Sequence, residues 1–148
     1  MDFDKIVYAQ NEENKINSSS VTIKNLNINV DLAQTSDQQA KGLSIKNTLN
    51  ENEGMLFIFD TLKKHSFWMK DMKFPIDIIW INSNHEIVYI EKNIQPCIFF
   101  PICTSYSPPE DSKYVLEVTS NYTTKNNINI GDDVDFNIKI LLSDYNIN

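Results

Sequence analysis

The chain alternates between apolar and polar positions along most of its length, and the period is usually two. VTI at 21–23 alternates. LNINVDLA at 26–33 does so too, with Leu26, Ile28, Val30 and Leu32 on one face. The phase slips at Lys24 and Asn25, as a tight hairpin turn requires. SDQQAKGL breaks the pattern: Ser36 followed by Gln39 fits a capping box, and Gly42 fits the end of a short helix. ENEG at 51–54 reads as a turn into a buried strand, MLFIF, at 55–59. SFWMK reads as a strand with Phe67 and Met69 on one face and Trp68 on the other. Pro75 marks the start of the next strand, because proline cannot sit inside a central one. Ser83 and Asn84 read as a hairpin turn into EIVYIEK. YVLEV at 114–118 is a strand, SNYTTKNN fits a single helical turn, and VDFNIKILL at 134–142 closes the pattern.

These elements predict a mostly β, single-domain fold of the β-sandwich or barrel-like type. It has about eight short strands and one or two short helices. The domain is expected over residues 21–142. Residues 1–20 are expected to be a flexible polar leader and 143–148 a tail. The leader carries no complete signal peptide, although IVYAQ resembles the end of one. An extracytoplasmic location is therefore expected if the native start lies upstream, and a cytoplasmic one otherwise.

HSFWMKDMKFPIDIIWI at 65–81 is the densest apolar stretch, yet it holds Lys70, Asp71, Lys73 and Asp77. Alternation places Ile76, Ile78 and Trp80 on one face of the strand and Asp77, Ile79 and Ile81 on the other. An ionised Asp77 in that setting needs a partner. A Lys70–Asp77 pair across adjacent strands is one solution. Capture of backbone N–H groups that fixes the turn at Pro75 is another. Glu117 interrupts the apolar strand YVLEV in a similar way, facing either solvent or a cation such as Lys41 or Lys46. Glu51 and Glu53 flank a turn and read as solvated.

Residues 93–112 contain four of the five prolines and no strand signal. Loops of that length are functional or disordered, and this one is too apolar for a linker. Phe99, Phe100 and Tyr106 are expected to fold back over one end of the domain, as a lid on a cavity or a plug in the core. Cys97 and Cys103, the two cysteines of the chain, lie in it. They pair in an oxidising compartment, worth roughly 2 kcal/mol for so short a loop, or stay free in a reducing one. His65 and His85 do not complete a zinc spacing with them, so no metal and no cofactor is expected.

Composition narrows the partners. The 148 residues are 41% hydrophobic and 11% aromatic, enough for a real core, and the formal net charge is −7. An acidic surface repels phosphate backbones and anionic membrane surfaces. No apolar run has the length of a membrane span. No catalytic glycine, serine or histidine motif is present. Asn17 and Asn121 fit glycosylation sequons.

KGLSIKNTL, EGMLFIF, FWMKDMKFPIDIIWI, a loop with PC and TSYSP, YVLEV and NIGDDV follow in this order. Together they resemble the domain of unknown function 192 family over residues 21–138. The resemblance implies a compact, mostly β domain, often preceded by a signal peptide or lipid anchor, with no established activity. Its characteristic positions fall on Gly42, Leu43, Gly54, Met55, Phe67, Trp68, Met69, Lys70, Pro75, Asp77 and Glu117. The family carries GLM followed by arginine where this chain has Ser44 and Lys46, and lysine does not replace arginine in a planar bidentate contact. It carries a glycine where this chain has Asn121, which tolerates a left-handed turn.

The leading expectation is a binding module of the cell envelope, monomeric, taking a small molecule or saccharide. The candidate contacts are Trp68, Lys70, Asp77, Trp80, Phe99, Tyr106 and Glu117, with Cys97 and Cys103 as a candidate disulfide. An enzyme using Asp77 or Glu117 with Lys70 is the alternative, and a structural or protein-interaction module is the third.

Overall fold

The computed structural model describes residues 18–139. The strands are β1 (Ser19–Ile23), β2 (Leu26–Ala33), β3 (Glu53–Lys63), β4 (Phe67–Trp68), β5 (Ile76–Ile81), β6 (Ile87–Ile94), β7 (Ser105–Tyr106), β8 (Ser112–Thr119) and β9 (Asp135–Asn137). Two short helices, α1 (Ser36–Lys41) and α2 (Tyr122–Lys125), and a 3-10 turn at Gly42–Ile45 complete it. Seven strands make one sheet in the order β6-β5-β8-β3-β2-β1-β9, and β4 and β7 form a separate ribbon. The fold is mostly β, as the alternation predicts. The leader up to residue 17, including IVYAQ and Asn17, and the tail lie outside the described residues. The first strand begins at Ser19, two residues before the alternation starts.

The large sheet curls until its two ends meet. Ile87 N–H donates to Asp132 O at 3.0 Å and Val134 N–H to His85 O at 2.8 Å, around an isolated bridge between Glu86 and Asp133. Those bonds tie β6 to the segment before β9, and the curl stops short of a closed barrel. Period-two alternation then sends side chains to two cores. Val21, Ile28, Leu56, Ile79, Ile81, Leu116 and Val118 fill the inside of the curl. Met55, Phe57, Ile76, Ile78, Trp80 and Val115 point to the other face, where the 3-10 turn and the β4–β7 ribbon cover them. With both faces covered, β5 is buried at all six positions.

Local sequence explains the joints. Lys24 and Asn25 both take positive φ, 49° and 65°, so the β1–β2 hairpin turns in two residues. The capping box is real but sits one residue earlier than predicted, on Thr35 and Gln38. Gln39 is not free to cap, because its amide donates to Ala33 O and Ile58 O and ties β2 to β3. Asn121 adopts φ 69°, the left-handed turn expected of it. Strand pairing in SFWMK is limited to Phe67 and Trp68, which meet Tyr106 and Ser105. The long loop therefore contains a two-residue strand, too short for alternation to reveal.

Candidate functional site

β3 and β8 are neighbours in the middle of the large sheet, and on their second-core face they present Phe57, Phe59 and Glu117. The β4 segment folds over them with Phe67 and Trp68. α1 and the 3-10 turn, which connect the parallel pair β2 and β3, form the opposite rim. Between these walls is a cavity of about 200 Å³. Its deep part is aromatic: Phe67 meets Phe57 edge-on at 4.9 Å between centroids. Behind the wall, His65 stacks on Phe59 at 3.6 Å. Its Nε2 lies 2.9 Å from Thr61 O, and a carbonyl only accepts, so Nε2 carries the proton. Burial lowers the basicity of that imidazole. Gly42 lets the rim approach: its φ is 48°, and a Cβ there would come within 3.3 Å of the Phe57 ring.

Glu117 is the unusual member of the lining. It is 5% exposed. Its cross-strand partners are Met55 and Ile78, neither of which can bond a carboxyl group. Its carboxyl makes no hydrogen bond or ion pair among the described residues. Burial pushes its pKa up to about 8, so the acid is largely protonated near neutral pH. Neither expected alternative, solvent or a contact with Lys41 or Lys46, is what the side chain meets. Lys41 lines the cavity but pairs with Asp37 at 3.0 Å, and Lys46 pairs with Asp31 at 2.9 Å outside the lining. Ser44, at the other departure from the family pattern, does line the rim.

Trp68 and Lys70 stand at the mouth. Trp68 is 52% exposed. The Lys70 ammonium lies 5.5 Å from its ring centroid and 4.6 Å from that of Phe100. Trp68, Lys70 and Glu117 are thus brought to one cavity, while the other candidates are placed elsewhere. Asp77 is fully enclosed on the opposite face of the sheet. Its Oδ1 accepts from Asn93 N–H at 2.8 Å and Asn121 N–H at 3.2 Å; its Oδ2 accepts from Thr123 N–H at 3.0 Å and the Thr123 hydroxyl at 2.6 Å. Backbone capture is therefore what Asp77 does, though it fixes the end of β6 and the start of α2 rather than the turn at Pro75. No Lys70–Asp77 pair forms, because alternation sends Asp77 into the curl while Lys70 packs outside it. Trp80 is likewise enclosed, and its indole N–H donates to His65 O at 2.8 Å.

The long loop divides. Tyr106 is half-buried against the second core. Phe99 and Phe100 are 74% and 59% exposed and do not fold back, which corrects the expectation that they cap the domain. Cys97 and Cys103 form the disulfide, with Cα atoms 5.6 Å apart. The bridge closes the loop on itself and leaves the residues between the cysteines outside. Among the described residues no group of three or more His, Cys, Asp or Glu converges as a metal site. No helix is long and apolar enough to cross a membrane. Sequence reasoning missed Phe57 and Phe59 as lining, although both share a face with Met55, the strand neighbour of Glu117.

A family model, DUF192, described as "Uncharacterized ACR", matches residues 19–136. Two solved structures are similar. One is a protein of unknown function from Novosphingobium aromaticivorans, 28% identical, with a TM-score of 0.71 over 80% of this chain and 83% of that one. The other, from Sinorhizobium meliloti, is described as a proposed transcription regulator; it is 24% identical, with a TM-score of 0.69 over 80% and 92%. No curated protein matches the chain.

Proposed function

The chain belongs to the DUF192 family, and for this member we propose a binding function: the cavity beneath Trp68 takes up a small, hydroxyl-bearing ligand of the saccharide class. The observation that carries this reading is Glu117, an unpartnered carboxyl group at the floor of an aromatic cavity. Held protonated by burial, it offers one donor and remaining acceptor capacity, which matches a hydroxyl pair. Trp68 offers a half-exposed ring face against which an apolar sugar face can stack, and Lys70 and Ser44 offer polar contacts at the rim. A few convergent polar groups in an apolar pocket are the usual make-up of a ligand site. The Cys97–Cys103 bridge supports an oxidising, extracytoplasmic setting for that role.

A second reading rests on the same carboxyl. A glutamic acid protonated at neutral pH suits general-acid chemistry. Glycoside hydrolysis, however, uses a pair of carboxyl groups, and Glu117 is the one carboxyl in the described lining. Binding is therefore the reading preferred here. Titrating the protein with a panel of neutral mono- and disaccharides, followed by amide chemical shifts and tryptophan emission, is the test. Saturable shifts around Trp68 and Glu117 are expected, abolished by Trp68→Ala and weakened by Glu117→Gln. Turnover of a panel member would favour the enzyme, and silence across the panel at millimolar ligand would remove the saccharide assignment.

A further inference from the structure

The loop closed by Cys97 and Cys103 carries four large apolar side chains, and all four are in water. Ile98 is 78% exposed, Phe99 74%, Phe100 59% and Ile102 83%. They are half of the exposed large hydrophobic residues among those described; most of the others are scattered singly, which needs no explanation. Four together on one closed loop do need one. Residues 93–109 contain no charged side chain at all, in a chain of net charge −7. At the base of this tip the Lys70 ammonium lies between the rings of Phe100 and Trp68.

We propose that the tip inserts into the interfacial layer of a zwitterionic lipid bilayer. Ile98, Phe99, Phe100 and Ile102 enter the acyl boundary, and Trp68 and Lys70 sit at headgroup level. Three observations favour lipid over a protein partner. The tip presents four apolar side chains and no charged one over residues 93–109, and apolar area free of charge is what an acyl boundary accepts. A tryptophan and a lysine flank the apolar tip, the residue types that anchor at membrane interfaces, and the Lys70 charge complements a lipid phosphate. The acidic chain gains nothing from anionic lipid, so apolar area supplies the attraction and the lipid is zwitterionic.

The full chain with its disulfide intact is mixed with phosphatidylcholine vesicles and followed by co-sedimentation and tryptophan emission. Trp80 is fully buried, so a blue shift reports Trp68. Binding that persists in high salt is expected. Phe99→Asp combined with Ile102→Asp is expected to lower vesicle partition by about 100-fold, with an unchanged thermal melt because both side chains are exposed. The proposal is overturned if the wild type ignores the vesicles, or if the double variant binds them as well. It is also overturned if the wild type is a concentration-dependent dimer that the substitutions dissociate, since the tip would then be covered by a second copy. Saccharide titration of the double variant keeps the two readings apart, because neither substituted residue lines the cavity beneath Trp68.

Discussion

Two acidic residues on neighbouring strands, Asp77 and Glu117, illustrate how environment decides what a carboxyl group does. Asp77 receives four hydrogen bonds and works as a backbone clamp. Replacing it with alanine strands the N–H groups of Asn93, Asn121 and Thr123, and a loss of about 3 kcal/mol or more is expected. Urea denaturation checks this, and a loss below 1 kcal/mol would mean that the clamp is dispensable. Glu117 has no such partners, and its pKa lies near 8 rather than 4.5. The folded state therefore binds more protons than the unfolded chain between those values. Stability falls as pH rises from about 4.5 to about 8, by a few kcal/mol in all, and levels off above that. Glu117→Gln should flatten this slope and leave the variant more stable than wild type at pH 9, while near pH 4.5 the two converge. Denaturation curves at several pH values decide it; parallel profiles for the two proteins would show that Glu117 is not held protonated.

At the scale of elements, β3 and β8 approach so closely that one position on β3 tolerates no side chain. A Cβ on Gly54 would sit 2.6 Å from the Glu117 carbonyl oxygen. Gly54→Ala should cost about 1–3 kcal/mol and weaken saccharide binding by shifting β8 at Glu117. An unchanged denaturation midpoint would contradict this. Alternation was enough to place β1 and β2 and to divide Asp77 from Ile78, whereas β5, β6 and β8 were marked by Pro75, by the turn at Ser83 and Asn84 and by their apolar content. The interruption of YVLEV marked Glu117, and the turn at Lys24 and Asn25 was readable from a phase slip. What stayed hidden was non-local. The pairing of Phe67 and Trp68 with Ser105 and Tyr106 involves two residues a side, too few for a period. The walls formed by Phe57 and Phe59 looked like ordinary core. That Phe99 and Phe100 stay exposed was equally hidden, because an apolar loop without periodicity reads the same whether it covers the core or stands away from it.

For the molecule as a whole, the order of strands sets the order of opening. β8 and β5 lie between paired neighbours with both faces covered, whereas β9 is an edge strand of three residues held to β1 and to the bridge at Glu86 and Asp133. Amides of Leu116, Phe57 and Ile79 should exchange with solvent only through global unfolding, and those of Asp135 to Asn137 at least about 100-fold faster through local opening. Uniform exchange across the sheet would show that the curl opens as one unit. The parallel pairing of β2 with β3 has a different kind of consequence. Parallel neighbours oblige the chain to travel back along the sheet before pairing, and here that return path, residues 34–52, supplies Gln39, Lys41 and Ser44 to the cavity. Exchanging this one connector between homologues would retailor what the cavity accepts while the pleated scaffold beneath stays as it is.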